Sequence, residues 1–414
     1  MRTMLLVVAA IGFLVESSLA SPGDLLTTFV NPTPDYTRCD YFGHSIAGQG
    51  SQVIVGAYWD DTGTPATRDG AVHLFDIATG SLVRTMPGVI ASNSGYSVAF
   101  MGSHIVSGAI LADRHPNPPL DYGAVYKYDS ATGAHVLTFQ NPAPQAAAHF
   151  GEHMAVVGGN LLVGMPYDDA AGTNAGRAYL FDGTTGTLLH TFYAPVPTDY
   201  DRFGSGVAAL GNDVLIGSPG RNGSAGIAYL FDSTTGNLLQ TFQKPEPNAW
   251  DSFGSSVASV GDKVLVAAPG ADAGADGTGA AYLFDSGTGE LLATFLNPDP
   301  DAYDGFGYFI AGVGDDVLIG APYDDTHGDH AGAAYLFDGD TGSLLLSLQD
   351  PTPGADDFFG AAVASLGNDI LVSAYGDNAG VGAVYVFEGV PIPEPTALSL
   401  VALVALGLLV RRRA

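Results

Sequence analysis

From about residue 24 to residue 389 the chain alternates short apolar runs with glycine-rich polar breaks, and the alternation itself recurs. The stretch that opens at Phe253-Gly254 reads as four strand segments: Ser256 to Val260, Lys263 to Ala267, Ala280 to Asp285 and Glu290 to Phe295. Val, Leu, Tyr, Phe and Thr fill them, and Gly-Asp or Thr-Gly pairs separate them, which is strand and turn chemistry. The same order opens at Phe42-Gly43, Phe150-Gly151, Phe203-Gly204, Phe306-Gly307 and Phe359-Gly360, about 53 residues apart, with Ser94-Gly95-Tyr96 standing in for one more Phe-Gly. The chain therefore holds seven repeats.

Seven four-stranded units predict an all-β fold, a seven-bladed β-propeller of antiparallel blades. No segment sustains a 3.6-residue apolar period, so helical repeats are excluded, and the unit is too long for the ~20–30-residue coil of a leucine-rich solenoid. The first segment of each unit is rich in Ser, Ala and Gly, as crowding around a central axis requires. The fourth runs into Pro-x-Pro at Pro142/Pro144, Pro195/Pro197, Pro245/Pro247, Pro298/Pro300 and Pro351/Pro353; proline cannot donate to a ladder and stops the outermost strand. The seventh unit ends after its third segment, Ala383 to Glu388, and the missing piece, Asp24 to Phe29, lies at the opposite end. The N-terminal strand is predicted to complete the last blade and close the ring.

The ends differ from the body. Arg2, the apolar run Met4 to Val15 and the small residues Ser18 and Ala20 form a secretory signal over residues 1–20, with cleavage expected after Ala20. The propeller is expected over 21–389 and a separate tail over 390–414.

The whole chain carries a formal charge of −29 and 56 glycines. So acidic a surface repels nucleic-acid phosphates, whose binding rests on Lys and Arg, and attracts cations or basic partners. Cys39 is the only cysteine, so no internal disulfide exists.

Phe-Gly followed by a Gly-Ala-Pro-like triplet, complete at Gly320-Ala321-Pro322 and varied at Gly217-Ser218-Pro219 and Gly164-Met165-Pro166, resembles the FG-GAP repeat of integrin α-subunit propellers and many bacterial surface proteins. In calcium-binding members of that family an acidic loop lies between the two motifs. Here the interval holds only tight turns such as Gly261-Asp262-Lys263, too few oxygens for a ~6–8-coordinate cage, so that calcium site is not carried over. Phe-Asp-x-x-Thr-Gly-x-Leu-Leu is similar to quinoprotein blades, but the tryptophan those carry is Phe192, Phe242 or Phe295 here. Pro393-Glu394-Pro395, an apolar run from Thr396 to Val410 and Arg411-Arg412-Arg413 resemble the PEP-CTERM sorting signal, which implies an exosortase-type processing enzyme as partner. As a helix that run reaches only ~22 Å, short of a ~30 Å hydrocarbon core. Membrane association through the tail is therefore expected to be transient, with the arginines on the cytoplasmic side.

No Gly-x-Ser-x-Gly elbow, Cys-x-x-Cys, phosphate loop or dinucleotide fingerprint is present. His149-Phe-Gly-Glu152-His153 straddles a repeat's own Phe-Gly and is read as loop and strand, not as a helical zinc motif. In a four-stranded meander, loops 2–3 and 4–1 share one face; here they are long and acidic, with Asp60/Asp61, Asp168/Asp169, Asp324/Asp325 and Asp377 in the first set and Asp40, Asp201, Asp251, Asp304 and Asp357 in the second. Tyr36, Trp59, Tyr167, Tyr200, Trp250, Tyr303 and Tyr323 stand beside them. These loops are the candidate binding face; the alternative is a solvated face whose aspartates simply make turn hydrogen bonds. Asp168, Asp169, Asp324 and Asp325 are the candidate ligands for a weakly held calcium ion; no catalytic residue and no organic cofactor is assigned. The reading is a non-enzymatic cell-surface or extracellular-matrix protein that binds a protein or glycan ligand and no nucleic acid. The rival is a secreted hydrolase or lyase using carboxylates on the same face. Recurrence of the acids at equivalent places favours binding, and a pocket on that face carrying acids absent from equivalent repeats would separate that reading from the rival.

Overall fold

The computed structural model describes residues 20–35, 39–61, 68–89, 92–112 and 122–391. They form seven four-stranded antiparallel sheets around an axis, each a simple meander except the last. Blade five, for example, is Val257–Val260, Lys263–Ala268, Ala280–Asp285 and Leu291–Leu296. The burial pattern falls along each blade from the middle outward: Lys263–Ala268 and Ala280–Asp285 are buried almost throughout, whereas Leu291–Leu296 alternates. Strands covered by sheets on both faces need not alternate, and half-covered ones must.

Blade seven orders its strands as Leu25–Val30, Ala383–Phe387, Asp369–Ala374 and Phe359–Leu366. Thr28 pairs with Tyr385 and Phe29 with Val384. The ring closes through the N-terminal strand, as the truncated seventh repeat predicts. The signal segment other than Ala20, and the tail residues Pro393, Glu394, Pro395, Arg411, Arg412 and Arg413, lie outside the described residues, as does Tyr36. No helix among the described residues is long and apolar enough to cross a membrane.

Phenylalanine docks most neighbouring blades, with Met86 in its place between blades one and two and Leu348 between blades six and seven. The last strand of one blade places a Phe against a Phe on the third strand of the next: Phe192 meets Phe231 at 5.3 Å, Phe242 meets Phe284 at 5.4 Å and Phe295 meets Phe337 at 5.3 Å. The Phe of Phe-Gly then meets the same ring edge-on within its own blade, at 6.1 Å for Phe203–Phe231 and 6.0 Å for Phe253–Phe284. Such tilted and edge-on pairs suit the ring quadrupoles. Phe29, Phe75 and Phe42 continue the series across the closure, at 4.8 and 5.9 Å.

The two glycines of the repeat explain each other. The Phe-Gly glycine has positive φ in all blades, from 87° at Gly95 to 97° at Gly204. A Cβ on Gly217, the first residue of its triplet, would fall on the carbonyl oxygen of Gly254 in the next blade, and one on Gly320 would fall on that of Gly360. At these junctions the second strand of one blade meets the Phe-Gly backbone of the next with no room for a Cβ, whereas blades five and seven accommodate Ala267 and Ser373 there.

Candidate functional site on the propeller axis

Crowded innermost strands bring the residue after each Phe-Gly to the rim of the axial channel. Six of these, His44, Tyr96, Glu152, Ser205, Ser255 and Tyr308, line one cavity of about 570 Å³. The loops that leave the second strands add Tyr167, Pro219, Pro269, Tyr323 and Tyr375 at its mouth. The mouth lies on the face of the long loops, and the volume falls in the ~300–1,000 Å³ range of small-ligand pockets.

Its walls are unlike. On one side an aromatic network runs through blades six, seven, one and two: Tyr308–Tyr323 at 5.7 Å, Tyr323–Phe358 at 5.8 Å, Phe358–Tyr375 at 5.3 Å, Tyr375–Tyr41 at 5.6 Å, Tyr58–His44 and His44–Tyr96 both at 4.5 Å. Opposite, blades four and five offer Ser205, Ser252, Ser255, Ser256, Pro219 and Pro269. The residue before each Phe-Gly sits in the left-handed region in every blade, at φ 53° for Tyr41, 55° for His149, 52° for Arg202 and 56° for Phe358. This conformation is costly to non-glycine residues; of the residues that adopt it here, Arg202 and Ser252 enter the lining.

Glu152 is the one carboxylate among the described lining residues. Its equivalents are His44, Tyr96, Ser205, Ser255, Tyr308 and Ala361. Burial alone would raise its pKa, but hydrogen bonding and charge from His149 and His153 outweigh burial and hold it at about 2. His149 Nδ1 lies 2.9 Å from Oε2 and His153 Nε2 lies 3.6 Å from Oε1. Burial pushes His44 down to about 4, leaving it neutral; its Nδ1 carries the proton, since it lies 3.0 Å from the Tyr96 carbonyl oxygen, which can only accept. Burial likewise raises the phenols of Tyr58, Tyr96 and Tyr375, which stay protonated.

The acids singled out in the sequence fall elsewhere. Asp40, Asp201, Asp251, Asp304 and Asp357 are all buried and tie the 4–1 loops to themselves. Asp304 accepts the Asp301 N–H and the Asn297 amide, both at 2.7 Å. Asp201 accepts the Thr198 N–H at 2.7 Å, and Asp251 the Asn248 N–H at 2.6 Å. Burial, ahead of these lowering bonds, raises Asp40 to about 7 and Asp304 to about 6.

Asp168 and Asp169 belong to blade three, Asp324 and Asp325 to blade six, so the structure does not bring the four together. Asp168 is buried and accepts the Ala170 N–H at 2.9 Å. Arg177 Nε is 2.7 Å from its Oδ1, an ion pair off the direction of a hydrogen bond, since that N–H has no aligned acceptor. Asp324 is buried under the Tyr335 hydroxyl at 2.8 Å. Asp169 and Asp325 are exposed and accept the backbone N–H of Asn174 at 2.7 Å and of His330 at 2.6 Å. Asp325, Asp329 and His330 place ligand atoms within 4.8 Å of one another. Cys39 is a half-buried free thiol.

The axial pocket went unrecognised in the sequence, yet a signal existed. Within units that otherwise repeat, the position after Phe-Gly reads His, Tyr, Glu, Ser, Ser, Tyr, Ala. A position free to vary at the most crowded point of the fold marks a surface that faces something other than protein.

Comparison with known proteins agrees with the architecture. A family model described as FG-GAP repeat matches residues 33–75, 144–181, 244–284, 291–337 and 350–387, together half of the chain. Integrin alpha-2 of Bos taurus is 34% identical over 155 residues, covering 32% of this chain and 13% of the relative's own length.

Proposed function

Because this chain belongs to the FG-GAP repeat proteins, we propose that it is an exported cell-surface or extracellular-matrix binding module whose ligand meets the long-loop face at the axial pocket. The observation that carries this reading is the asymmetry of the pocket: one ionised carboxylate, Glu152, against an aromatic wall on one side and a serine–proline wall on the other. A purely architectural ring has no need to vary these positions. The N-terminal signal ending at Ala20 and the tail from Pro393 to Arg413 support export and sorting by an exosortase-type enzyme, with transient membrane association through the tail.

The rival hydrolytic reading needs two carboxylates of unequal pKa in one pocket. The described lining has a single carboxylate, held far too acidic to donate a proton near neutral pH. That argues against a two-carboxylate hydrolase at this pocket. A steric test separates the faces. In a Cys39→Ser background, a polyethylene-glycol maleimide is attached at Tyr303→Cys on the long-loop rim or at Asn237→Cys on the tight-turn rim; both native residues are exposed. Retention of the protein on producing cells should fall with the first label and persist with the second. Equal retention with both labels would overturn the assignment of the face.

A further inference from the structure

We infer that the axial pocket binds a neutral saccharide, entering with a sugar ring against the aromatic wall and its hydroxyl groups toward Glu152 and the serines; this rests on the reading of the long-loop face as the binding surface. Charge, hydrogen-bond polarity and shape converge on that class.

The lining carries groups of both signs. Glu152 is engaged by two histidines at 2.9 and 3.6 Å, and a guanidinium, Arg202, stands in the same wall. A free cation would meet Arg202, and an anion would approach through the field of a chain of charge −29. A neutral ligand incurs neither cost.

The serine side of the lining offers acceptors, while the phenols of Tyr96, Tyr308, Tyr323 and Tyr375 and the Arg202 guanidinium can donate. Ser97 donates its hydroxyl proton to the Gly151 carbonyl at 2.6 Å, Ser205 to that of Arg202 at 2.9 Å and Ser255 to that of Ser252 at 2.5 Å. Their oxygens keep only lone pairs to offer. An ionised Glu152 also only accepts. A partner for this mixture must bring several hydroxyl groups, each able to donate and to accept, in a small space. The aromatic wall asks for the reverse, a flat apolar face. A pyranose ring presents both, with hydroxyls at its edge and C–H groups on its face. A lysine or arginine side chain supplies donors at one end only and adds charge. A planar aromatic ligand would satisfy the rings and leave the serine wall unmatched.

The full-length secreted protein is titrated calorimetrically with neutral oligosaccharides of two to six residues, spanning gluco-, manno-, xylo- and N-acetylglucosamine backbones. A lysine-rich peptide and a polyuronate serve as charged comparators. At least one neutral series is expected to bind saturably. Glu152→Gln should weaken it about tenfold or more, since a hydrogen bond to a charged group becomes one to a neutral amide. Ser255→Tyr, which fills the pocket from the opposite wall, should abolish it while the melting temperature shows the ring intact. Should Ser255→Tyr fail to fold, Ser205→Tyr is the replacement. Binding of the lysine peptide alone, binding of no oligosaccharide, or neutral binding untouched by the wall variants would each overturn the inference. Loss of retention with the Tyr303→Cys label but no oligosaccharide binding would sink the saccharide and leave the binding face standing.

Discussion

Aspartate recurs at both ends of this propeller, and at the two ends it behaves in opposite ways. On the tight-turn face, Asp129, Asp182, Asp232, Asp285 and Asp338 open Asp-x-x-Thr-Gly turns; hydrogen bonds from the threonine backbone and hydroxyl hold each below the usual carboxylate range. On the long-loop face, Asp40, Asp304 and Asp357 accept backbone N–H groups in the same manner, yet burial outweighs those bonds and raises all three. The local motif is alike and the solvent is not. In these two sets of turns the hydrogen bonds set the sign of the shift where the carboxylate is exposed, and burial sets it where the carboxylate is hidden.

The largest disturbance removes the frame both faces share. Deleting Asp24 to Phe29 leaves Ala383–Phe387 as a bare edge and takes Phe29 from Phe75 and Phe42. The truncated protein is expected to aggregate and to melt well below the full chain; equal melting and solubility would contradict closure through this strand. Next, the two aspartate classes are set against each other. Asp304→Ala, which strands the Asn297 amide and the Asp301 N–H, should cost about 1–3 kcal/mol in chemical denaturation. Asp285→Ala on the tight-turn face should be far milder, and equal losses would break the distinction.

Acidity gives a third test. Asp40 and Asp304 have folded pKa values near 7 and 6, above the ordinary 3.8. Their protonated forms favour the folded state, so this contribution is fully present below the unfolded pKa and is lost as pH rises through 6 and 7. The melting temperature should therefore rise from pH 8 to pH 5, and the Asp40→Asn/Asp304→Asn double variant should flatten that rise. The turn aspartates and Glu152, all lowered, lose their contribution only as pH falls below about 4. The smallest effect concerns calcium. The exposed cluster Asp325, Asp329 and His330 is expected to yield a melting shift worth under about 1 kcal/mol at millimolar calcium, removed by Asp325→Asn/Asp329→Asn. Asp168 and Asp324 are poor choices for that test, since replacing them also removes buried contacts to Arg177 and Tyr335.

What the sequence made legible was whatever repeats within one unit: the strands, their turns, the Pro-x-Pro stops and the displaced last strand. Burial of the loop aspartates was not legible. Asp304 and Asp301 look alike in sequence, and only the fold of the loop onto its own Asn297 decides which is hidden. The axial pocket was equally opaque, because its wall takes one residue from each of several units and no local window contains two of them. Phe-Gly was recognised as a signature, but its ring acts two strands away, against Phe284 or Phe337, through contacts that only the third dimension supplies.

Closure by the first strand also sets a clock. Within the propeller Thr28 leaves the ribosome near the start and its partner Tyr385 near the end. Blades one to six can assemble as they emerge, each from neighbouring segments. Blade seven must wait for the whole chain while its outer strand trails unpaired, so the slow step should be the joining of ends about 360 residues apart in sequence. Until then every nascent propeller exposes the same open edge, and a chaperone that shields residues 25–30 would act on folding yield without touching the finished ring.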